Sequence, residues 1–124
     1  MKAPATITVD GKPFSTQQGR VFIFFFDPEC VHCLDAGKRM AKLDWGDTKI
    51  IGVPTAQPQF ARDFLHDTGL KAGVSNDLAL LKKTFPFGDP PAGVALERGR
   101  EKEALTKFEE PEPAATLRTL GFVR

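Results

Sequence analysis

Two cysteines three positions apart, Cys30 and Cys33, are the residues of this 124-residue chain whose types and spacing best suit chemistry. No other cysteine is present. A structural disulfide stabilises a fold most when it closes a long loop, and a bond between these two residues would close almost none. We therefore expect the pair to serve redox chemistry or metal binding rather than to form a structural disulfide.

The residues around the pair predict a strand, a turn and a helix. Residues 21–26 form a continuous apolar run, which is typical of a strand buried on both faces, and Asp27 and Pro28 break it. From about Cys30 to Leu43 the apolar spacing is helical, so the first cysteine opens a helix. Unpaired N–H groups and the helix dipole favour a thiolate there, and the second cysteine is close enough to attack a mixed disulfide on the first.

Four neighbouring residues are expected to influence these sulfurs. His32 has two possible roles: when protonated it would favour the Cys30 thiolate, or it is an ordinary surface residue with no role in the chemistry. Glu29, which follows Pro28 in the turn, disfavours the same thiolate. Asp27 and Glu29 are either proton relays or solvated turn residues. These effects on the stability of the Cys30 thiolate differ in sign. The sequence therefore predicts that the neighbours alter the reactivity of this thiol, but not whether they raise or lower it.

A structural zinc site is the other common use of the Cys-x-x-Cys spacing, and it requires four ligands. The remaining candidates are His32 and His66, and His32 lies between the two cysteines, where it cannot easily join them on one tetrahedral ion. We therefore predict no metal, and we place His66 on the polar face of a helix. Leu34 follows Cys33, so the spacing of a covalent haem site is missing as well.

The rest of the chain alternates strands with helices, which predicts one α/β domain over residues 1–124. The predicted strands cover residues 6–9, 21–26, 49–53, 70–74, 92–96 and 103–108. The predicted helices cover residues 30–43, 59–68, 77–85 and 111–120, and the acidic run 109–112 is read as a solvated helix start.

Composition excludes several partners. Seventeen basic and sixteen acidic residues leave a formal charge of +1. This is not the excess of positive charge that a protein binding nucleic acid or an anionic membrane would carry. No apolar run approaches the length of a membrane span, and residues 1–6 lack the apolar core of a secretory signal. The protein is therefore either cytoplasmic, or extracytoplasmic with an export signal or anchor that this sequence does not include.

Two motifs far apart in the chain resemble the thioredoxin superfamily. The first is the strand, turn and Cys-x-x-Cys of residues 21–33. The second is Pro91, followed by the strand residues 92–96 and by Gly99 eight positions after the proline. In that family a cis proline faces the two cysteines and lets the adjacent backbone pair with a substrate peptide. The resemblance assigns this role to Pro91, with Pro90 before it.

The resemblance also implies a fold and an activity. It implies a thioredoxin-like three-layer sandwich, with a central mixed sheet flanked by helices. The additional helix and strand between the two motifs are similar to the TlpA-like or redoxin branch, whose members are commonly extracytoplasmic disulfide reductases. The expected function is thiol–disulfide exchange on protein substrates by a monomer. Its electrons would pass through a redox partner protein and no bound cofactor.

The sequence departs from the thioredoxin pattern at four positions. Glu29 stands where the family often has Trp, Phe24 where thioredoxin has a buried acid, and Lys38 where it has a helix proline. His32 stands where protein disulfide isomerases and DsbA oxidases have their histidine, which indicates a more oxidising potential. These departures leave the direction of electron flow open.

Two other functions of the same fold remain as alternatives. A thiol peroxidase carries a Pro-x-x-x-Thr-x-x-Cys frame, but here its Pro and Thr positions hold Ile23 and Asp27. The other alternative is a non-catalytic module that binds a partner or a metal. Copper carriers of the related fold use a longer cysteine spacing with a distant histidine, and the chain shows neither feature clearly.

Overall fold

Strand β3 (Arg20–Phe26) lies at the centre of a five-stranded mixed sheet in the computed structural model, which describes residues 1–124. The other strands of that sheet are β4 (Lys49–Pro54), β5 (Gly73–Val74), β6 (Ala92–Glu97) and β7 (Arg100–Leu105). A separate hairpin consists of β1 (Thr6–Val9) and β2 (Lys12–Ser15). The helices are α1 (Val31–Ala41), α2 (Ala61–Thr68), α3 (Leu78–Thr84) and α4 (Ala114–Leu120). None of them is long and apolar enough to cross a lipid bilayer.

The strand order β5-β4-β3-β6-β7 brings distant parts of the chain to one edge of the sheet. β4 runs parallel to β3, and β6 runs antiparallel to it, with Ala92 opposite Phe25. The end of β3, the end of β4 and the start of β6 therefore meet at the same edge. The turn that leads to Cys30 leaves β3 there, and Pro91 enters β6 there.

Alternate side chains of β3 pack into two separate apolar clusters, one on each face of the sheet. Phe22, Phe24 and Phe26 join the cluster that contains residues of α1, α2 and α4. Val21, Ile23 and Phe25 join the cluster that contains residues of α3 and β1. Every residue from 21 to 26 is buried, so the prediction of a strand covered on both faces is confirmed.

The bounds of three predicted elements differ from the structure. β5 covers only Gly73–Val74, whereas the sequence predicted a strand over 70–74. β7 starts at Arg100, directly after the Arg98-Gly99 turn, and ends at Leu105, whereas the sequence predicted a strand over 103–108. Its first residues are mostly charged and exposed, so they lack the apolar signal of a strand. The last helix begins at Ala114 rather than at residue 111, since the residue before a proline disfavours helical backbone angles and Glu112 precedes Pro113.

The starts of the two middle helices also differ in detail. Residues Pro58–Phe60 form a 3-10 turn before α2, whereas the sequence predicted one helix from residue 59. Asp77 stands at the position before α3, as predicted, but its carboxylate does not cap that helix. It instead accepts a hydrogen bond from the Thr8 backbone N–H at 2.7 Å, which ties β1 to the start of α3.

The close packing of β6 on β3 leaves no room for a side chain at Gly93. A Cβ there would lie 2.6 Å from the Phe22 ring and 3.1 Å from the Ile23 carbonyl oxygen, and Phe22 is fully buried. We expect Gly93→Ala to lower the free energy of unfolding by about 1–3 kcal/mol, measured by urea unfolding at unchanged slope. Gly88→Ala is the control, because nothing lies within 4 Å of that position. Equal midpoints for the two variants would contradict the packing described.

Asp10 joins the β1–β2 hairpin to the sheet and to α2. Its Oδ1 accepts hydrogen bonds from the Val74 N–H at 3.0 Å and from Arg62 at 2.9 Å. The Val74 hydrogen bond lowers the pKa of Asp10; burial opposes this, and the Arg62 side chain lowers the pKa further.

Asp10→Asn isolates the charge, because asparagine also accepts hydrogen bonds and tolerates the positive φ of 52°. The pair is exposed, so we expect a loss of up to about 1 kcal/mol at pH 7. Because the folded-state pKa is lowered, this stabilisation is present above 3.8 and is lost as the pH falls through the folded value. Unfolding curves of the two proteins should converge in that acidic range. A difference that persists undiminished there would rule out the carboxylate's charge as its source.

Candidate active site

The two thiols lie at the start of α1, immediately after the turn that follows β3. Cys30 is the residue that caps α1, and its Sγ accepts a hydrogen bond from the Cys33 backbone N–H at 3.2 Å. The Cys30 N–H in turn donates to the Asp27 carbonyl oxygen at 2.9 Å. Both cysteines are free thiols. The first sulfur thus occupies the place where a helix offers an unpaired N–H to a negative group.

The two thiols differ sharply in their access to solvent. Cys30 is half-buried, whereas Cys33 has no exposed surface and packs within the cluster of α1, α2 and α4. Burial raises the pKa of Cys33 to about 12, and the hydrogen bond and charge of Cys30 and the charge of Asp27 also raise it. A backbone hydrogen bond with Asp27 acts in the opposite direction. At neutral pH, Cys33 is therefore a protonated, inaccessible thiol.

The turn before Cys30 holds three of the residues expected to influence it. Asp27 is half-buried, and its Oδ1 accepts a hydrogen bond from the Glu29 N–H at 2.9 Å. Pro28, between them, is also half-buried, while the Glu29 side chain is exposed to solvent. Asp27 is therefore a partly exposed residue of the turn whose hydrogen bond helps to fix the shape of that turn. The Glu29 side chain lies in solvent, where water screens its charge.

Pro91 and Pro90 lead into β6 at the edge of the sheet where the thiols lie. Pro91 is buried and Pro90 is half-buried, and the peptide bond between them is cis. Ala92 pairs with Phe25 near the end of β3, so the register places this dipeptide beside the strand end that carries the cysteine turn.

His32 is exposed and borders a cavity of about 550 Å³. The remaining lining comes from the single segment 106–112, which leads from β7 towards α4. The sequence predicted its acidic residues 109–112 to be a solvated helix start. Residues 109–111 are exposed, in agreement with that prediction, but α4 begins only at Ala114, and the segment forms the wall of a cavity beside His32.

Arg39 holds that segment against α1. From α1, its guanidinium donates hydrogen bonds to the carbonyl oxygens of Glu112, at 2.8 Å, and of Phe108. The Glu110 carboxylate lies 3.8 Å from the same group. Sequence reasoning missed this residue, because a contact between positions some seventy residues apart leaves no local signal.

No group of three or more His, Cys, Asp or Glu side chains is arranged to hold a metal ion. His66, the distant candidate ligand, lies on the exposed side of α2, where its Nδ1 is 3.8 Å from the neighbouring Asp67 carboxylate. The structure therefore does not bring His66 together with the cysteines.

Comparison with solved structures relates this architecture to known folds. DsbF of MTB, in its mixed oxidized and reduced forms, aligns with a TM-score of 0.76 at 16% identity, over 95% of this chain and 98% of its own. A secreted Mycobacterium tuberculosis disulfide oxidoreductase homologous to E. coli DsbE aligns with a TM-score of 0.71 at 17% identity, over 94% of each chain. A thioredoxin-like protein from Aeropyrum pernix aligns with a TM-score of 0.73 at 15% identity, over 92% of this chain and 88% of its own. The fold is thioredoxin-like.

The predicted three-layer sandwich with a central mixed sheet flanked by helices is thereby confirmed. No family model matches the sequence, and no curated protein is similar to it in sequence. The resemblance therefore rests on the fold and on the residues at its sheet edge.

The difference in burial within this thioredoxin-like fold predicts selective labelling of one thiol. We expect iodoacetamide at pH 8 to modify Cys30 of the reduced protein at least about tenfold faster than Cys33, because only the first sulfur is accessible and the second stays protonated. Peptide mass mapping over time separates the two sites. After denaturation both should react at similar rates, and comparable rates in the folded protein would contradict the burial of Cys33.

Proposed function

We propose that this protein is a thiol–disulfide oxidoreductase that acts on protein substrates, working as a disulfide reductase. The observation that carries the proposal is the pairing of an accessible thiol at a helix start with a buried thiol whose backbone N–H reaches the first sulfur at 3.2 Å. Such an arrangement separates an attacking group from a resolving group.

The exchange proceeds in two steps. The Cys30 thiolate attacks one sulfur of a substrate disulfide, so that a mixed disulfide forms and the other substrate sulfur leaves as a thiolate. Cys33 then attacks Cys30, which releases the second substrate thiol and leaves an internal disulfide. Two electrons pass from the dithiol to the substrate, and a partner protein must return them. No bound cofactor takes part.

Pro91, together with Pro90, is assigned to substrate docking. The register of β6 on β3 supports this role, because it places the dipeptide at the edge of the sheet that carries the cysteine turn. His32 is assigned to favouring the thiolate when protonated, and its exposed side chain lies at the rim of the cavity where a substrate chain would pass. Glu29 and Pro28 are assigned to tuning the reactivity of Cys30 from the preceding turn.

The structurally similar proteins support thiol–disulfide exchange and a location outside the cytoplasm. Two of them are named as DsbF and as a secreted disulfide oxidoreductase homologous to DsbE. We extend that chemistry to this chain, and we place it outside the cytoplasm, in the TlpA-like group of electron-transfer proteins, as a monomer.

The reduction potential of the cysteine pair tests the direction of exchange. We expect equilibration with glutathione, read by the mass shift after alkylation, to give a value near that of thioredoxin, about −270 mV. A value near that of DsbA, about −120 mV, would make the protein a donor of disulfides instead. Failure to form an internal disulfide would overturn the exchange mechanism.

Two single variants and a second oxidant test the roles of the thiols. With a disulfide-containing peptide, Cys33→Ser should accumulate a mixed disulfide on Cys30, whereas Cys30→Ser should accumulate none, because its remaining thiol is buried.

The reduced protein should consume hydrogen peroxide far more slowly than it reduces the peptide. Faster consumption of peroxide would favour the peroxidase alternative, and peptide reduction that survives Cys30→Ser would contradict the proposal.

A further inference from the structure

The segment that follows β7 begins at the same edge of the sheet as the cysteine turn. β7 ends at Leu105, which pairs with Gly93 near the start of β6. The start of β6 lies at the sheet edge where β3 ends and the turn towards Cys30 begins. Residues 106–112 therefore leave the sheet beside that turn, and together with His32 they line the cavity of about 550 Å³.

Much of the backbone of this segment has no hydrogen-bond partner in the protein. Four exposed residues donate no backbone N–H hydrogen bond to another group of the chain: Thr106, Lys107, Glu109 and Glu110. The carbonyl oxygens of Thr106, Lys107 and Glu110 accept none either. Because backbone groups need a partner or water, these are open to an incoming chain. An extended polypeptide offers such donors and acceptors in series, whatever its side chains.

Arg39 fixes the segment from the neighbouring helix. It follows His32 by seven positions on α1, which is about two helical turns, so both residues lie on the same face. Its guanidinium donates charge-assisted hydrogen bonds to the carbonyl oxygens of Glu112, at 2.8 Å, and of Phe108. The Phe108 side chain is buried against Phe24. The wall of the cavity that His32 borders is thus held at a fixed distance from α1.

We propose that the backbone of residues 106–110 pairs with the extended polypeptide that flanks a substrate disulfide, and that Arg39 is the positioning residue that holds this backbone in place. The inference rests on the proposed function and narrows its substrate class. The preferred substrate is a disulfide within an extended stretch of protein chain rather than a small free disulfide. Main-chain hydrogen bonds supply the attraction, so the preference depends on the reach of the chain and not on its sequence.

Two uncharged, disulfide-linked peptide dimers with blocked termini measure this preference. In the long dimer about five residues, which span roughly 17 Å when extended, stand on each side of the cysteine. In the short dimer a glycine stands on each side. Each dimer oxidises the reduced protein in a single turnover, and the mass shift after alkylation gives the rate constant. We expect the wild type to react about tenfold faster with the long dimer, the effect of one or two backbone hydrogen bonds.

Arg39→Gln should reduce the ratio of the long-dimer to the short-dimer rate constant to about two or less, because the segment is no longer held. Its rate constant with the short dimer should stay within about twofold of the wild type, since the thiols themselves are unchanged. Lys38→Gln is the matched control, because it removes the charge of the adjacent, exposed residue of α1 and should keep the wild-type ratio. Glu109→Trp leaves Arg39 in place and fills the cavity from its exposed wall, so it should also lower the ratio.

Four other results would overturn the inference. A wild type that reacts equally fast with both dimers would leave the exchange function intact but remove the preference for an extended chain. A ratio that persists in Arg39→Gln, or equal slowing with both dimers, would show that Arg39 does not position a substrate-binding segment. A ratio that persists in Glu109→Trp would place the peptide elsewhere, even if Arg39→Gln failed to fold. A wild type that neither dimer oxidises would overturn the proposed function, and this inference with it.

Discussion

The burial of β3 on both faces is the constraint on which the rest of the structure depends. A strand with large apolar side chains on each face must be covered twice, and the chain supplies α1, α2 and α4 on one side and α3 with the β1–β2 hairpin on the other. The turn after this central strand carries half-buried Cys30 to the end of the sheet, while Cys33 lies on the buried face of α1, which packs against the strand. The contrast between the two thiols follows from the packing of the strand.

That contrast also sets the chemistry that the edge can perform. The sulfur of Cys30 meets a backbone N–H and solvent, both of which accommodate negative charge. The sulfur of Cys33 is surrounded by phenylalanine and other apolar side chains, which oppose negative charge. A dithiol in which both sulfurs resembled Cys30 would expose two competing nucleophiles to every substrate. In the proposed exchange, the burial of Cys33 would make Cys30 the first of the two thiols to react.

Features with local causes could be predicted from the sequence, and features with distant causes could not. The apolar run of β3, the break at Asp27 and the helical spacing after it each depend on neighbouring residues, so the strand, the turn and α1 were predicted close to their true bounds. β7 was predicted three residues late, because the start of this edge strand is charged and its pairing with β6, rather than its composition, makes it a strand. The two motifs could be matched to one fold, but their meeting at one edge depends on the antiparallel register of β6 on β3.

The same distinction explains why the sequence did not show which segment lies beside His32. A run of glutamates and prolines beyond the last strand has the composition of an exposed helix start, and nothing within it indicates where it packs. Two contacts hold it in place: Phe108 is buried in the core against Phe24, and the Arg39 guanidinium on α1 donates to two backbone carbonyl oxygens of the segment. Hydrogen bonds from a charged donor are stronger than those between neutral groups, so they help to hold a proline-rich segment that forms no regular structure of its own. The acidic wall of the cavity and helix α1, which carries both His32 and Arg39, are therefore joined as one unit.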